Sequence, residues 1–536
     1  MRMLHALRRP RPLSWGLAGL FAALYACVAV NRHRRMLTQA YDLGIFEQAV
    51  RAYAHGEAPV VLLKGPGYQL LGDHFHPLLA TLAPLYRLFP SAVTLLLAQA
   101  VLMALAVVPL ARWAFEVGGP RLAVLVGVLT GVSWGIVEAV ADDFHEIAFA
   151  VPLLAFSATA LGRGRPVAAV LWALPLVLVK EDLGLTVAVV GALVFARAGK
   201  GSGTRALGFG VAVLGLAATA LTVLVVLPSF NPDGGFDYWG QMGTREAAGA
   251  PWELAGRLVW PPLKWLLLGL AAATAGFLGL RSPLVLLCLP TLGWRLAADN
   301  SHYWGVSYHY SAVLMPLLLA ALVDAVRRTG AFEGPGRVPG PVPARVLARG
   351  REAGADRAAV RRARRALAVA GLVALVTLPV YPLHELVAPG AWGTSPWLER
   401  ARTMLARIPD GATVAASNRL AAQLAGRTTV GLVCREPSPP LVEPPADSPP
   451  ADSPPTGTLS TGTLSTGTPP AGAVRAGAVR AGAVQGGPEW VVVDLADPSV
   501  QAPCAIADTL RMLDRYERLG YRRVVDDGDL RLLGRP

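Results

Sequence analysis

Apolar runs of roughly 15 to 24 residues, close to the length that crosses a bilayer as a helix, recur along the chain at about 13–31, 90–111, 121–140, 147–162, 166–180, 183–197, 205–228, 261–280, 282–298, 309–326 and 366–383. Short polar segments separate most of them. The pattern predicts a mainly α, polytopic helical membrane protein with about eleven transmembrane helices in residues 1–383. A long first outer loop, 32–89, follows the first run. Within it Leu43, Phe46, Val50 and Tyr53 share one helical face, which predicts an interfacial helix over about 43–54 that stops at His55-Gly56. After residue 384 the periodicity changes. "ATVAASNRLAAQLAGRTTVGLV" alternates strand-like and helix-like patterns, "EWVVVDL" reads as a buried strand, and "DTLRMLDRYERLGYRRVVDDGDLRLL" reads as a helix and then a hairpin over Asp527-Gly528. A small extracytoplasmic α/β domain is expected over 384–536. Its middle, 436–488, holds "SPPADSPP" with "TGTLS" and "AGAVR" copies, which cannot bury a core and should be disordered.

Charge adds a topology. Of 536 residues 53% are hydrophobic and 16% charged, with a formal net charge of +13. The Arg excess lies in short segments between apolar runs, not on one basic domain, which argues against nucleic acid as a partner. With Arg2, Arg8, Arg9 and Arg11 in the cytoplasm, the loops carrying Arg112 and Arg121, Arg163 and Arg165, Arg197, Lys200 and Arg205, and Arg281 all fall inside. The short loops opposite, 141–146 and 299–308, contain no Lys or Arg. The expected location is the plasma membrane. Residues 329–365 combine Gly/Pro breakers with a basic run and predict a cytoplasmic linker against anionic headgroups. The basic, then apolar N-terminus is expected to be a retained first helix, because the basic "NRHRR" follows it instead of a cleavage site. Cys27 and Cys288 lie in apolar runs. Cys434 and Cys504 could pair if the C-terminal region faces an oxidising side.

Sorting polar residues by side collects most acids and histidines at one face. The first outer loop contributes Asp42, Glu47, Asp73, His74 and His76; "DDFHE" contributes Asp142, Asp143, His145 and Glu146; "KED" contributes Lys180, Glu181 and Asp182; "ADNSHYWGVSYHY" contributes Asp299, Asn300, His302 and His309. Ionisable residues at a membrane edge are costly unless paired or wet, so a set at one depth points to an outward cavity. Each alone could be a solvated loop residue. Asp42 could equally be the N-cap of the 43–54 helix, worth about 1 kcal/mol. His74, His76, His145 and Glu146 have the ligand types of a divalent metal site, although neither "DHFH" nor "DFHE" has H-E-x-x-H spacing. No G-x-S-x-G occurs, so a serine triad is not supported.

"YDLGIFEQAV", "GDHFHPLLATLAPLYRLFPS", "FHEIAFAVPLL", "LVLVKEDLGLTVA", "VAASNRLAAQLAGR" and "WVVVDL" resemble, in order, an uncharacterised family of bacterial multi-pass membrane proteins, domain of unknown function 2079. That family is similar to the GT-C superfamily of membrane glycosyltransferases. The resemblance implies a GT-C-like fold that takes a sugar from a polyprenyl-phosphate carrier at the outer face and passes it to an envelope glycan or protein, with Asp42 as the catalytic base. Here the acid is a lone "YD", not the acidic pair many superfamily members carry. Arg32, Arg34, Arg35 or Lys180 would then hold the departing phosphate, although "NRHRR" could equally anchor the first helix at lipid headgroups. Glu47, Asp73, His74, His76, His145, Glu146, Glu181 and Asp182 would line the substrate site. Trp239, Tyr303 and Trp304 could stack on a sugar or belong to an interfacial aromatic belt. Two other classes fit the same residues: an ion- or proton-coupled transporter, and a non-catalytic envelope scaffold.

Overall fold

The computed structural model describes residues 9–238, 256–332, 349–435, 487–496 and 503–535, with side chains from 349–356 left aside. Trp239, most of the basic linker (333–348) and the repeats at 436–486 lie outside the described residues.

The chain is mainly helical. Its principal helices are α1 (Pro10–Arg34), α2 (Ile45–Ala54), α3 (Ala92–Leu105), α4 (Val107–Gly131), α5 (Trp134–Ala141), α6 (Ile147–Gly162), α7 (Pro166–Ala173), α8 (Leu183–Arg197), α9 (Gly203–Leu221), α10 (Leu263–Thr274), α11 (Leu289–Ala297), α12 (Leu314–Arg328) and α13 (Arg349–Thr377). Four helical stretches are long and apolar enough to cross a membrane: Pro10–Arg34, Ala92–Gly131, Gly203–Phe230 and His309–Arg328. Five shorter apolar helices accompany them.

Several of the apolar runs in the sequence are not single unbroken helices, for identifiable reasons. Residues 166–180 and 282–298 each divide into an α-helical and a 3₁₀ piece, with Pro175, Pro283 and Pro290 at the starts of pieces where a missing N–H is tolerated. Residues 90–140 run as Ala92–Gly131 and α5, broken at Gly118 and Gly119 ahead of Pro120, where the sequence places an inner loop. The arginines at 361, 362, 364 and 365 break the apolarity of α13.

Burial separates two kinds of apolar helix. α12 is almost wholly enclosed, and its Asp324 is held by Ser282 at 2.7 Å, Arg327 at 2.9 Å and Arg328 at 2.6 Å. The Gly203–Phe230 stretch instead exposes Phe209, Leu214, Leu216, Leu221 and Leu224. α8 and α9 form a close hairpin because glycines face each other seven residues apart, at 184 and 191 on one helix and 208 and 215 on the other. A Cβ at Gly191 would lie 2.4 Å from the Ala212 nitrogen, so only glycine lets the backbones touch.

The C-terminal part carries α14 (Pro396–Leu405), β1 (Thr413–Ala416), α15 (Asn418–Ala421), β2 (Thr429–Leu432), β3 (Trp490–Asp494), α16 (Ile506–Arg518), β4 (Arg522–Asp527) and β5 (Leu530–Gly534). The sheet order is β2-β1-β3-β5-β4, parallel across β2-β1-β3 and antiparallel beyond. The strand over "WVVVD" and the hairpin at Asp527-Gly528 sit where the sequence predicts them, Gly528 supplying the positive φ of 62°. Cys434 and Cys504 are joined by a disulfide, which ties the end of β2 to the approach to α16.

This sheet does not stand apart from the helices. Asn418 accepts the Tyr41 N–H through Oδ1 at 2.7 Å and donates through Nδ2 to Gln39 Oε1 at 3.0 Å. Gln48 donates to the Val430 carbonyl at 2.8 Å, and Arg51 reaches the carbonyls of Ala425 and Thr428. The "ASNRLAAQLAGR" stretch thus clasps the loop that bears Asp42.

Candidate functional site

A cavity of about 1010 Å³ opens between the first loop, the α5–α6 connection, the α7–α8 turn, α9 and the segment from Trp294 to Tyr310. Three loops bring its polar groups together, two of them held by specific local devices. Gly72 lets the "DHFH" loop press onto the end of the Gly203–Phe230 stretch, where a Cβ would fall 2.5 Å from the Asn231 nitrogen, and Asn231 donates to the Gly72 carbonyl at 3.2 Å. The "DDFHE" turn holds Asp143 in the left-handed region at φ 58°, an uncommon state for a non-glycine residue. Gln99 fixes that turn by accepting the His145 N–H at 3.0 Å and donating to the Ala139 carbonyl at 3.0 Å and to the Asp143 carbonyl. Gln39 donates its N–H to Asp143 Oδ2 at 2.9 Å.

Most acids here have a short partner. Lys180 Nζ lies 2.7 Å from Glu146, His74 Nδ1 2.8 Å from Glu181, Lys64 Nζ 2.9 Å from Asp73, and His309 Nδ1 3.0 Å from Asp142. Trp294 donates to Asp182 at 2.9 Å and Tyr238 to Asp73 at 3.2 Å. Asp42 differs: its contact is a 3.5 Å approach to His145 Nε2, too long for a strong hydrogen bond, and its side chain is 43% exposed. The rings of His145 and His309 stack with centroids 3.6 Å apart.

Burial sets the ionisation of these loop groups, and the neighbours decide its direction. Burial raises Glu146, but Lys180 and the surrounding histidines overcome it and hold the carboxyl well below its usual range. Burial also disfavours the Glu181 carboxylate, yet His74 and Lys180 keep it below its ordinary value. Burial and the adjacent Glu181 push Asp182 up to about 6. Burial works against a proton on His145, while Asp42, Asp142 and Glu146 favour one and raise it to about 9. Asp143 is raised well above its normal value, by burial first and then by Asp42 and Asp142.

Of the residues singled out in the sequence, Asp42, Asp73, His74, His76, His145, Glu146, Lys180, Glu181 and Asp182 line this one cavity. Asp42 lies in a π-helical turn, Ala40–Gly44, ahead of α2, and no side chain caps that helix, so the N-cap reading is set aside. Arg34 and Arg35 are not in the lining; Arg32 pairs with Glu385 at 2.5 Å and donates to the Ala141 carbonyl at 3.1 Å. Trp304 likewise stays outside, under Lys264, whereas Tyr303 lines the cavity. Glu47 turns away from the cavity and is buried, accepting from Tyr86 at 3.0 Å. The potential metal ligands also regroup: His74 and Glu146 are occupied by Glu181 and Lys180, and the compact set is Asp142, His145 and His309. Lys64, Tyr238, Trp294, Gln99 and Asn418 were not legible as site or positioning residues.

Glu47 gives a pH test of the fold. Burial pushes its carboxyl up to about 7, against the hydrogen bond from Tyr86 and the charge of Arg51. A folded pKa above the unfolded one means that the fold favours the protonated form. Stability is therefore full below about 4.5 and declines as pH rises through about 7, by on the order of 3 kcal/mol in total. Glu47→Gln keeps an acceptor for Tyr86 and removes the titration. Its melting temperature in detergent should fall less than that of the wild type between pH 5 and 8; parallel declines would contradict the assignment.

Apolar helices, four of them of crossing length, and a polar cavity walled by loops and clasped by a small sheet define the class as a helical membrane protein. The chain belongs to the family described as "Predicted membrane protein (DUF2079)", which matches residues 32–437 and so takes in every loop of the cavity and the strands β1 and β2. No curated protein matches it.

Proposed function

We propose that the chain is a multi-pass cell-membrane enzyme of glycosyltransferase type, with its N-terminus in the cytoplasm and its cavity and C-terminal sheet outside. It would transfer a sugar from a polyprenyl-phosphate donor to an envelope acceptor. The observation that carries this reading is a half-exposed carboxylate, Asp42, in a cavity where Asp73, Asp142, Glu146, Glu181 and Asp182 all have short partners. A general base must keep an open face to its proton donor, and Asp42 has one.

The cavity wall supplies the second support. Leu216, Ala220, Val223 and Leu224, on α9 and its continuation, line the same space as the charged groups, and Leu216 and Leu224 are also widely exposed on the protein surface. A headgroup in the polar chamber could therefore keep its hydrocarbon tail along α9. Tyr238, Trp294, Tyr303 and Tyr310 offer ring faces for a sugar. The Cys434–Cys504 disulfide supports an oxidising side for the sheet.

In the transfer, Asp42 takes the proton of the acceptor hydroxyl as that oxygen bonds to the anomeric carbon. The bond from this carbon to the phosphate oxygen breaks, and polyprenyl phosphate leaves with the electron pair. Lys64 and Lys180 stand on the same cavity as the departing phosphate. The test is reconstitution with a radiolabelled lipid-linked sugar and envelope extract. Label should move to a product only with the protein present. Ion flux in sealed vesicles without donor, together with no transfer, would favour the transporter.

A further inference from the structure

We infer that Asp142, His145 and His309 form a binding site for a divalent transition-type cation such as Zn²⁺ or Mn²⁺. The three offer one ligand atom each, all within 4.8 Å of one another, although they come from two segments about 165 residues apart in sequence. Two imidazoles and one carboxylate are borderline ligands, suited to Zn²⁺, Mn²⁺ or Co²⁺ more than to Ca²⁺ or Mg²⁺, and three protein ligands leave positions open for solvent or a substrate oxygen.

A second observation points at the same place. His145 is only 3% exposed, yet neither ring nitrogen has a hydrogen-bond partner, its nearest acid being Asp42 at 3.5 Å. A buried imidazole left without hydrogen bonds is costly, and a metal ion would satisfy one nitrogen. His309 is already oriented, since Asp142 Oδ2 receives both its backbone N–H at 2.9 Å and its Nδ1 at 3.0 Å. Bonds of about 2.1 Å put ligand atoms roughly 3.4 Å apart, so loading requires the most widely spaced pair, now within 4.8 Å, to close by up to about 1.4 Å.

The charge of the cavity gives the cation a purpose. Among its described lining residues, seven carboxyl groups face two lysines and five histidines, and both lysines are already paired with acids. A divalent cation held there would add attraction for an anionic headgroup entering the chamber. Metal binding itself stands on the geometry; only the identity of the further ligand as a phosphate rests on the proposed glycosyl-transfer reading.

The full-length protein, purified in chelator and titrated with Co²⁺, should bind one equivalent and develop the visible ligand-field bands of a site containing histidine nitrogens. His309→Gln and Asp142→Asn should weaken binding at least about tenfold. His74→Gln, in the neighbouring His74–Glu181 pair, should leave it within about twofold. Absence of a stoichiometric Co²⁺ spectrum in the wild type, or equal loss from His74→Gln, would overturn the site. The wild-type spectrum decides even if a variant does not fold. Binding of Co²⁺ without any sugar transfer would sink the enzyme reading and leave the metal site standing.

Discussion

Asp42→Asn should abolish sugar transfer, lowering the rate by about 10²–10⁴-fold, while the purified protein keeps its melting temperature within about 1 °C. The size is that of a positioned general base, since asparagine matches the shape of aspartate but neither carries its charge nor accepts a proton at neutral pH. The unchanged stability follows from the site. Asp42 is 43% exposed, its contact with His145 is long, and it caps no helix, so the fold loses little when the charge goes. A rate within threefold of the wild type would remove Asp42 from the chemistry. A transporter or scaffold would show no donor-dependent transfer to lose.

Glu146→Ala should be the most destabilising single change in the cavity, costing about 3–5 kcal/mol, because it removes the 2.7 Å partner of the largely buried Lys180 ammonium. The side chains of Lys180 and Glu146 are only 13% and 3% exposed. Removing both partners should cost much less than removing Glu146 alone, since an apolar pair leaves no buried charge behind. Thermal unfolding in detergent of Glu146→Ala, Lys180→Met and the Glu146→Ala/Lys180→Met double variant measures this directly. A double variant as unstable as the sum of the singles would mean that the pair is not coupled.

The cavity residues that were legible in the sequence were legible through position. "DHFH", "DDFHE" and "KED" each fall between apolar runs that put them at one end of the bundle, and the structure brings them to one cavity. Glu47 was misassigned because α2 places it on the side where the sheet packs, and a helical wheel cannot say what covers each face. Arg34 and Arg35 were drawn in by charge and nearness to the first helix alone; only the fold shows the lining passing them by. Gln99 and Asn418 escaped notice for another reason. They act through backbone atoms 40 to 377 residues away, and an amide in an apolar helix or a strand-like run carries no local signal of such a task. The bounds of the helices were less legible, because proline and paired glycines break apolar runs into shorter pieces.

The central claim is that a lipid-linked headgroup sits beside Asp42 with its tail along α9. Photo-cross-linking tests it most directly, using a polyprenyl phosphate with a diazirine near the phosphate end of the chain, in vesicles containing the full-length protein. The account predicts adducts at the cavity-lining positions of residues 216–224, competed away by unlabelled polyprenyl phosphate. Adducts spread evenly over the exposed apolar helices, or insensitive to competition, would contradict it.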